Sequence, residues 1–196
     1  NPTTSPTQTT TPRQNTNIRG KTSPRSKPGR NTPAGTTSPT PTSPKSQPEK
    51  SGSLSTVDLQ FAMKAAQSDM TEIQTSQLAL NRSKNPQILK YAQEMIQAHT
   101  DSTAKLKPIA TRLNLAMPKT LGAENQSLVN QLNSLSGTQF DLAYTSGQAR
   151  AHARTQAVFQ TELQQGKNPQ LKAFANEILP VVSMHLQMAK SLTAMR

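Results

Sequence analysis

From residue 54 onward, apolar residues recur every three or four positions, whereas before it Ile18 is almost the only large apolar side chain. Ile88, Ala92, Met95, Ile96, Leu106, Ala110 and Leu113, with His99 among them, share one helical stripe. That stripe predicts a helix from 86 to about 113. Asn85-Pro86 opens it with a side-chain cap followed by proline at the first helical position, where a missing N–H costs nothing. Asn168-Pro169 repeats the signal and opens a helix that runs to the end of the chain, with Leu171, Phe174, Ile178, Val182, His185, Ala189 and Leu192 on one face. Two further long helices are predicted: one over about 57–83, capped by Ser55 or Thr56, and one over about 138–165, closed by Gly166. Met117-Pro118 to Gly122 reads as a break, followed by a short helix over about 124–135 that Gly137 ends. Nothing alternates with period two, so no strand is predicted. Phe61, Ile96, Phe159 and Ile178 are expected in one core. Pro108 and Pro180 fall inside helices and are expected to kink them.

The pattern therefore predicts an all-α domain over 54–196, made of four long helices with a short one in the connection between the second and third. The chain also echoes itself. Lys84-Asn85-Pro86-Gln87-Ile88 matches Lys167-Asn168-Pro169-Gln170-Leu171, and Tyr91-Ala92-Gln93-Glu94 matches Phe174-Ala175-Asn176-Glu177. Either these are two similarly capped helix starts or they mark two related hairpins, the plan of a ferritin-type up-down four-helix bundle.

Composition separates residues 1–53 from the rest. Ten of the chain's 15 prolines lie between Pro2 and Pro48, among repeated Thr-Ser-Pro units. Such a segment cannot bury enough apolar surface to offset chain entropy, so a disordered, extended tail is expected. Eight Lys/Arg against Glu49 alone make it the main source of the net charge of +12. A basic tail of this kind suits an anionic cell-envelope polymer or surface. The absence of cysteine excludes disulfides, zinc–thiolate sites, iron–sulfur clusters and thiol nucleophiles. No stretch is long and apolar enough to span a membrane. With four Phe, two Tyr and no Trp, and no Gly-rich phosphate loop, nucleic acid and nucleotides are not expected as partners. Asn1 stands where an initiator Met would, which is read as a removed signal peptide or a trimmed chain.

The candidate chemistry is a matter of register. The only three histidines are His99, His152 and His185, one on each of three predicted long helices, and the remaining long helix carries Glu72. Counted from Asn85, Glu72 and His99 are almost equidistant; counted from Asn168, so are His152 and His185. At 1.5 Å per residue, Glu72 and His99 lie about 20 Å from their turn and His152 and His185 about 25 Å from theirs, so all four fall near mid-helix. Burying them unpaired would cost several kcal/mol, and a divalent cation removes that cost. Metal ligation by Glu72, His99, His152 and His185 is therefore expected, with zinc first and copper or iron as alternatives. Met95 and Met188, one turn from two of the histidines, are possible additional ligands. Binding is expected to weaken below about pH 6.5, the ordinary imidazole value. A core hydrogen-bond network is the competing reading. The Glu-x-x-His pairs of di-iron bundles are missing, which argues against iron storage: Ile96 and Val182 stand at those positions.

Phe61 with Glu72, Tyr91-Ala92 with Met95-Ile96 and His99, Leu135-Ser136-Gly137 with Phe140-Asp141, Tyr144 and His152, and Leu179-Pro180 with His185 together resemble the bacterial ferritin-like family named domain of unknown function 4142, often described as predicted outer membrane proteins. The likeness covers about 57–195. Where that family has Asp before its first two histidines, this chain has Ala98 and Ala151. The resemblance implies export to the periplasm or outer envelope and a ferritin-like bundle, and supplies no reaction. The favoured reading is a non-enzymatic exported bundle holding one transition metal ion as an envelope buffer or sensor. A structural or interaction protein with a His/Glu polar core is the first alternative, and a mononuclear metalloenzyme the second.

Overall fold

A computed structural model of the protein describes residues 54–195. The stretch 1–53, and the expectation of a disordered tail with it, lies outside the described residues. Five helices make up the domain: α1 (Thr56–Arg82), α2 (Pro86–Arg112), α3 (Ala123–Asn133), α4 (Gly137–Gln165) and α5 (Pro169–Ala194). No strand occurs among the described residues.

Local chemistry explains each boundary. Ser55 and Asp58 form a reciprocal capping box at α1: the Ser55 hydroxyl accepts from the Asp58 N–H, and the Asp58 carboxylate accepts from the Ser55 N–H at 2.7 Å. Asn85 and Asn168 cap α2 and α5, each accepting two backbone N–H groups. At the far end of α2, Asn114 turns left-handed at φ 54. Leu115 N–H then reaches the Ala110 carbonyl at 2.8 Å and Asn114 N–H the Thr111 carbonyl at 3.2 Å, a Schellman closure. Pro108 and Pro180 lie inside continuous helices, exposed to solvent, so the carbonyls they leave free face water.

Two glycines differ from expectation. Gly137 does not terminate α3, which is capped at Ser134; it opens α4 at φ +55, a conformation in which a side chain would be strained. Gly166 does follow α4, but in extended geometry (φ −61, ψ 148) rather than a left-handed turn. Its lack of a side chain serves a close approach: a Cβ there would run into the Glu162 carboxyl.

The packing fixes the helix directions. Phe61, Leu106, Phe159 and Leu171 meet in one apolar cluster, and Ala79, Ile88, Tyr144 and Ala189 meet in another. The start of α1 therefore lies with the end of α2, the end of α4 and the start of α5. It follows that α2 and α4 run the same way, and the connection between them must travel the length of the domain. Helix α3 lies in that crossing and packs mainly on α1. Phe61 stands edge-on to Phe159 with centroids 4.9 Å apart, a geometry that adds ~0.5–1.5 kcal/mol to simple burial.

The core is thus two clusters, not one. Phe61, Phe159 and Ile178 share the first, but Ile96 is only half-buried and belongs to neither. The inward line of α2 runs Tyr91, Met95, His99, Ser102, Leu106, and one residue past Met95 points about 100° away from it. Between the clusters lies a layer of buried polar side chains, including Asp69, Glu72, Thr75, His99, Gln148, His152 and His185.

Candidate metal centre

Three helices deliver one histidine each into that layer: His99 from α2, His152 from α4 and His185 from α5. Their exposures are 5%, 1% and 2%. The ring centroids form a nearly equilateral triangle, with 5.6 Å between His99 and His152, 5.7 Å between His99 and His185, and 5.5 Å between His152 and His185. Each ring offers one nitrogen to a group in which all such atoms lie within 4.8 Å of one another, so the triad could hold a metal ion.

Hydrogen bonds on the far side of two rings decide which nitrogen faces inward. His99 Nδ1 lies 2.8 Å from Asp69 Oδ1, and Asp69 Oδ2 accepts in turn from the Thr103 hydroxyl at 3.1 Å. His152 Nδ1 lies 2.9 Å from the Gln148 carbonyl oxygen, one turn back on its own helix. A carbonyl can only accept, so His152 carries its proton on Nδ1. A carboxylate partner does the same for His99. In both rings Nε2 is then left with a free lone pair, the form that ligates metals. Among the described residues, the buried side-chain nitrogens without a hydrogen-bond partner are His99 Nε2, His152 Nε2 and His185 Nδ1, one on each ring.

Burial enforces neutrality. It pushes the His152 imidazole down to about 3, helped by His99 and His185 and opposed by the Gln148 carbonyl bond. Burial and His99 push His185 down to about 4. Both rings are therefore neutral ligands at any physiological pH.

Glu72 stands beside the triad. Its Oε1 is 3.9 Å from His152 Nδ1, and its Oε2 is buried without a partner. With His152 neutral and its Nδ1 committed to Gln148, this is a contact rather than an ion pair. Burial raises the Glu72 carboxyl to about 7, against the pull of His99 and of the Gln148 side chain. A cation at the triad would pull it back down. Met95 and Met188 sit with the apolar cluster around Tyr91 and Tyr144, Met95 fully buried and Met188 at its edge.

The sequence reading missed the outer partners. Gln148 and Thr103 each lie four residues from a histidine, so helical spacing could have flagged those two, whereas Asp69 is tied to His99 only across the bundle. Gln148 also donates from Nε2 to the Thr75 hydroxyl at 2.9 Å, which ties α4 to α1 at the same level. One turn further on, the Ser76 and Tyr144 hydroxyls share a hydrogen bond of 2.8 Å.

The fold and the site together define a small all-helical domain with three buried histidines at its centre. The chain belongs to the family of the domain of unknown function DUF4142, whose profile matches residues 43–192. No curated protein matches it in sequence. Similar solved structures include a DUF305 fragment from Deinococcus radiodurans, at TM-score 0.65 and 13% identity over 73% of this chain and 99% of that one. Another is CopM in its Cu(II)-bound form, at TM-score 0.57 and 14% identity over 70% and 95%. At these identities the likeness is one of fold. Among the described residues no helix is long and apolar enough to cross a membrane.

Proposed function

We propose that this protein holds one transition metal ion between His99, His152 and His185, as an exported metal buffer or sensor of the bacterial envelope. One observation carries the reading: three buried ring nitrogens without partners sit on three rings that converge, while hydrogen bonds on the outer side of two of them fix the ligating form. Leaving three such atoms unpaired costs roughly 1–3 kcal/mol apiece, which a single ion offsets. Tetrahedral ligation at about 2.0–2.1 Å would draw the nitrogens to within about 3.4 Å of one another. Glu72 stands outside the group of three ring nitrogens, and its carboxyl would have to turn inward to supply a fourth ligand. Zinc suits three imidazoles and a carboxylate. Copper gains some support from the structural neighbour described in a Cu(II)-bound form. The long crossing between α2 and α4 favours a ferritin-like bundle. The basic segment 1–53 would tether the domain to an anionic envelope polymer.

The test is metal titration of protein purified without a histidine tag and stripped with chelator. Zn(II) or Cu(II) is expected to bind at one ion per chain. His185→Ala is expected to lose that binding with its helical circular dichroism retained. Absence of stoichiometric binding by the wild type would end the proposal and leave a polar core network in its place.

A further inference from the structure

The triad is buried, so an ion must reach it through the protein. A crevice of about 250 Å³ opens between α1 and α4, roofed by residues 121–125 at the start of α3. Its walls carry Ser68 and Thr155, whose hydroxyls share a hydrogen bond of 2.9 Å across it. Ala151 and Glu72 also line it. Ala151 is the neighbour of His152 and puts only a methyl group on that wall. Glu72 lines the crevice, and its Oε1 stands 3.9 Å from His152 Nδ1, the ring nitrogen that the Gln148 carbonyl holds. Its Oε2, on a residue only 1% exposed, has no hydrogen-bond partner.

We infer that this crevice is the route by which a hydrated divalent cation reaches the centre, and that Glu72 is its transfer ligand. The inference rests on the proposed metal-binding function. Hydroxyl and carboxyl oxygens are suited to a cation that still carries water, whereas imidazole nitrogens hold it once dehydrated. Glu72 takes the ion at the inner end of the crevice and, by rotation of its own side chain, passes it to the triad. Lys64 and Arg154 also line this crevice. The nearest acid to Arg154 is Glu124 on the roof, 3.2 Å away, which offsets one of the two positive charges.

Stopped-flow uptake of Co(II) by the stripped full-length protein, with the equilibrium affinity measured separately by chelator competition, tests the route. Ala123→Trp on the exposed roof and Thr155→Leu on the wall are each expected to slow uptake at least tenfold and to slow release in parallel, leaving affinity within about threefold. Glu72→Gln, which keeps the shape and removes the anionic ligand, is expected to slow uptake at least tenfold even where the triad still binds. Because Ala123 is exposed, its variant keeps the test open should Thr155→Leu fail to fold. A wild type that binds Co(II), with rates unchanged in Ala123→Trp and Glu72→Gln, overturns the route alone. A wild type that takes up no metal overturns the metal reading and the route together.

Discussion

His152 shows how a single hydrogen bond sets the chemistry of a side chain. Its Nδ1–H is fixed on the Gln148 carbonyl, so the remaining nitrogen is a lone pair facing two other rings. Its pH behaviour follows. The unfolded chain protonates this imidazole near its ordinary value of 6.5, whereas burial holds the folded one neutral down to about 3. The stability His152 contributes is thus fully present above pH 6.5 and is lost as pH falls towards 3. Glu72 works in the opposite sense. Its carboxyl is raised from 4.5 to about 7, so its contribution is present below pH 4.5 and lost as pH rises through 7. Denaturant unfolding of the stripped protein between pH 7 and pH 4 should therefore fall off less steeply for His152→Leu than for the wild type. Parallel curves would show that His152 is not held neutral. Proton competition for a bound ion moves with these values, so the window expected near pH 6.5 shifts down to about 4 and below for His152 and His185.

At the scale of the element, the corner where α1 begins and α4 turns into α5 is held by carboxyl groups. Asp58 Oδ1 accepts from the Lys167 and Asn168 N–H groups at 2.9 Å each, so the cap of α1 also anchors the start of α5. Burial would raise Asp58, but its four hydrogen bonds, two of them from Ser55, outweigh that and hold it at about 2. Glu162, fully buried over Gly166, is driven the other way, to about 7, by burial first and then by Asp58. A folded value above the ordinary 4.5 means that Glu162 contributes stability below pH 4.5 and loses it as pH rises through 7. Glu162→Gln keeps the shape and removes the ionisation. It is expected to raise the thermal midpoint at pH 8 and to give no gain at pH 4.5. A gain of equal size at both values would show that Glu162 does not titrate between them.

The two asparagine caps explain how much of the site could be read from the sequence. Asn85 and Asn168 fixed where two hairpins turn, and counting from a turn is reliable inside a helix because the rise per residue is constant. That is why His99, His152 and His185 were legible as one level. Asp69 was not, because a short polar residue on α1 between Ser68 and Met70 looks like any solvated position until its neighbour across the bundle is known. Ile96 was misplaced for the same reason: an apolar residue on the flank of a stripe is as hydrophobic as one at its centre. Gly166 was recognised as a boundary with the wrong cause, since nothing in the sequence announces that the Glu162 carboxyl needs the space.

At the scale of the whole molecule, two apolar clusters are separated by a polar layer that all four long helices cross. Without an ion that layer is the weak plane of the domain, since unpaired buried groups cost energy and apolar side chains of similar volume would not. An ion on the triad would join α2, α4 and α5 there and, because only the folded chain presents the three nitrogens together, stabilise by mass action. At a free concentration a hundredfold above the dissociation constant this amounts to about 2.7 kcal/mol. For a domain of this size that corresponds to a rise of roughly 5–10 °C in the thermal midpoint. A variant with His99→Leu, His152→Leu and His185→Leu together separates the two readings of the layer. If the histidines are there for metal, the triple variant shows no metal-dependent rise, and its metal-free midpoint is no lower than that of the stripped wild type. If they are a hydrogen-bond network that stabilises the fold by itself, the triple variant melts well below the stripped wild type. A triple variant that still rises with Zn(II) or Cu(II) would place the ion elsewhere on the chain.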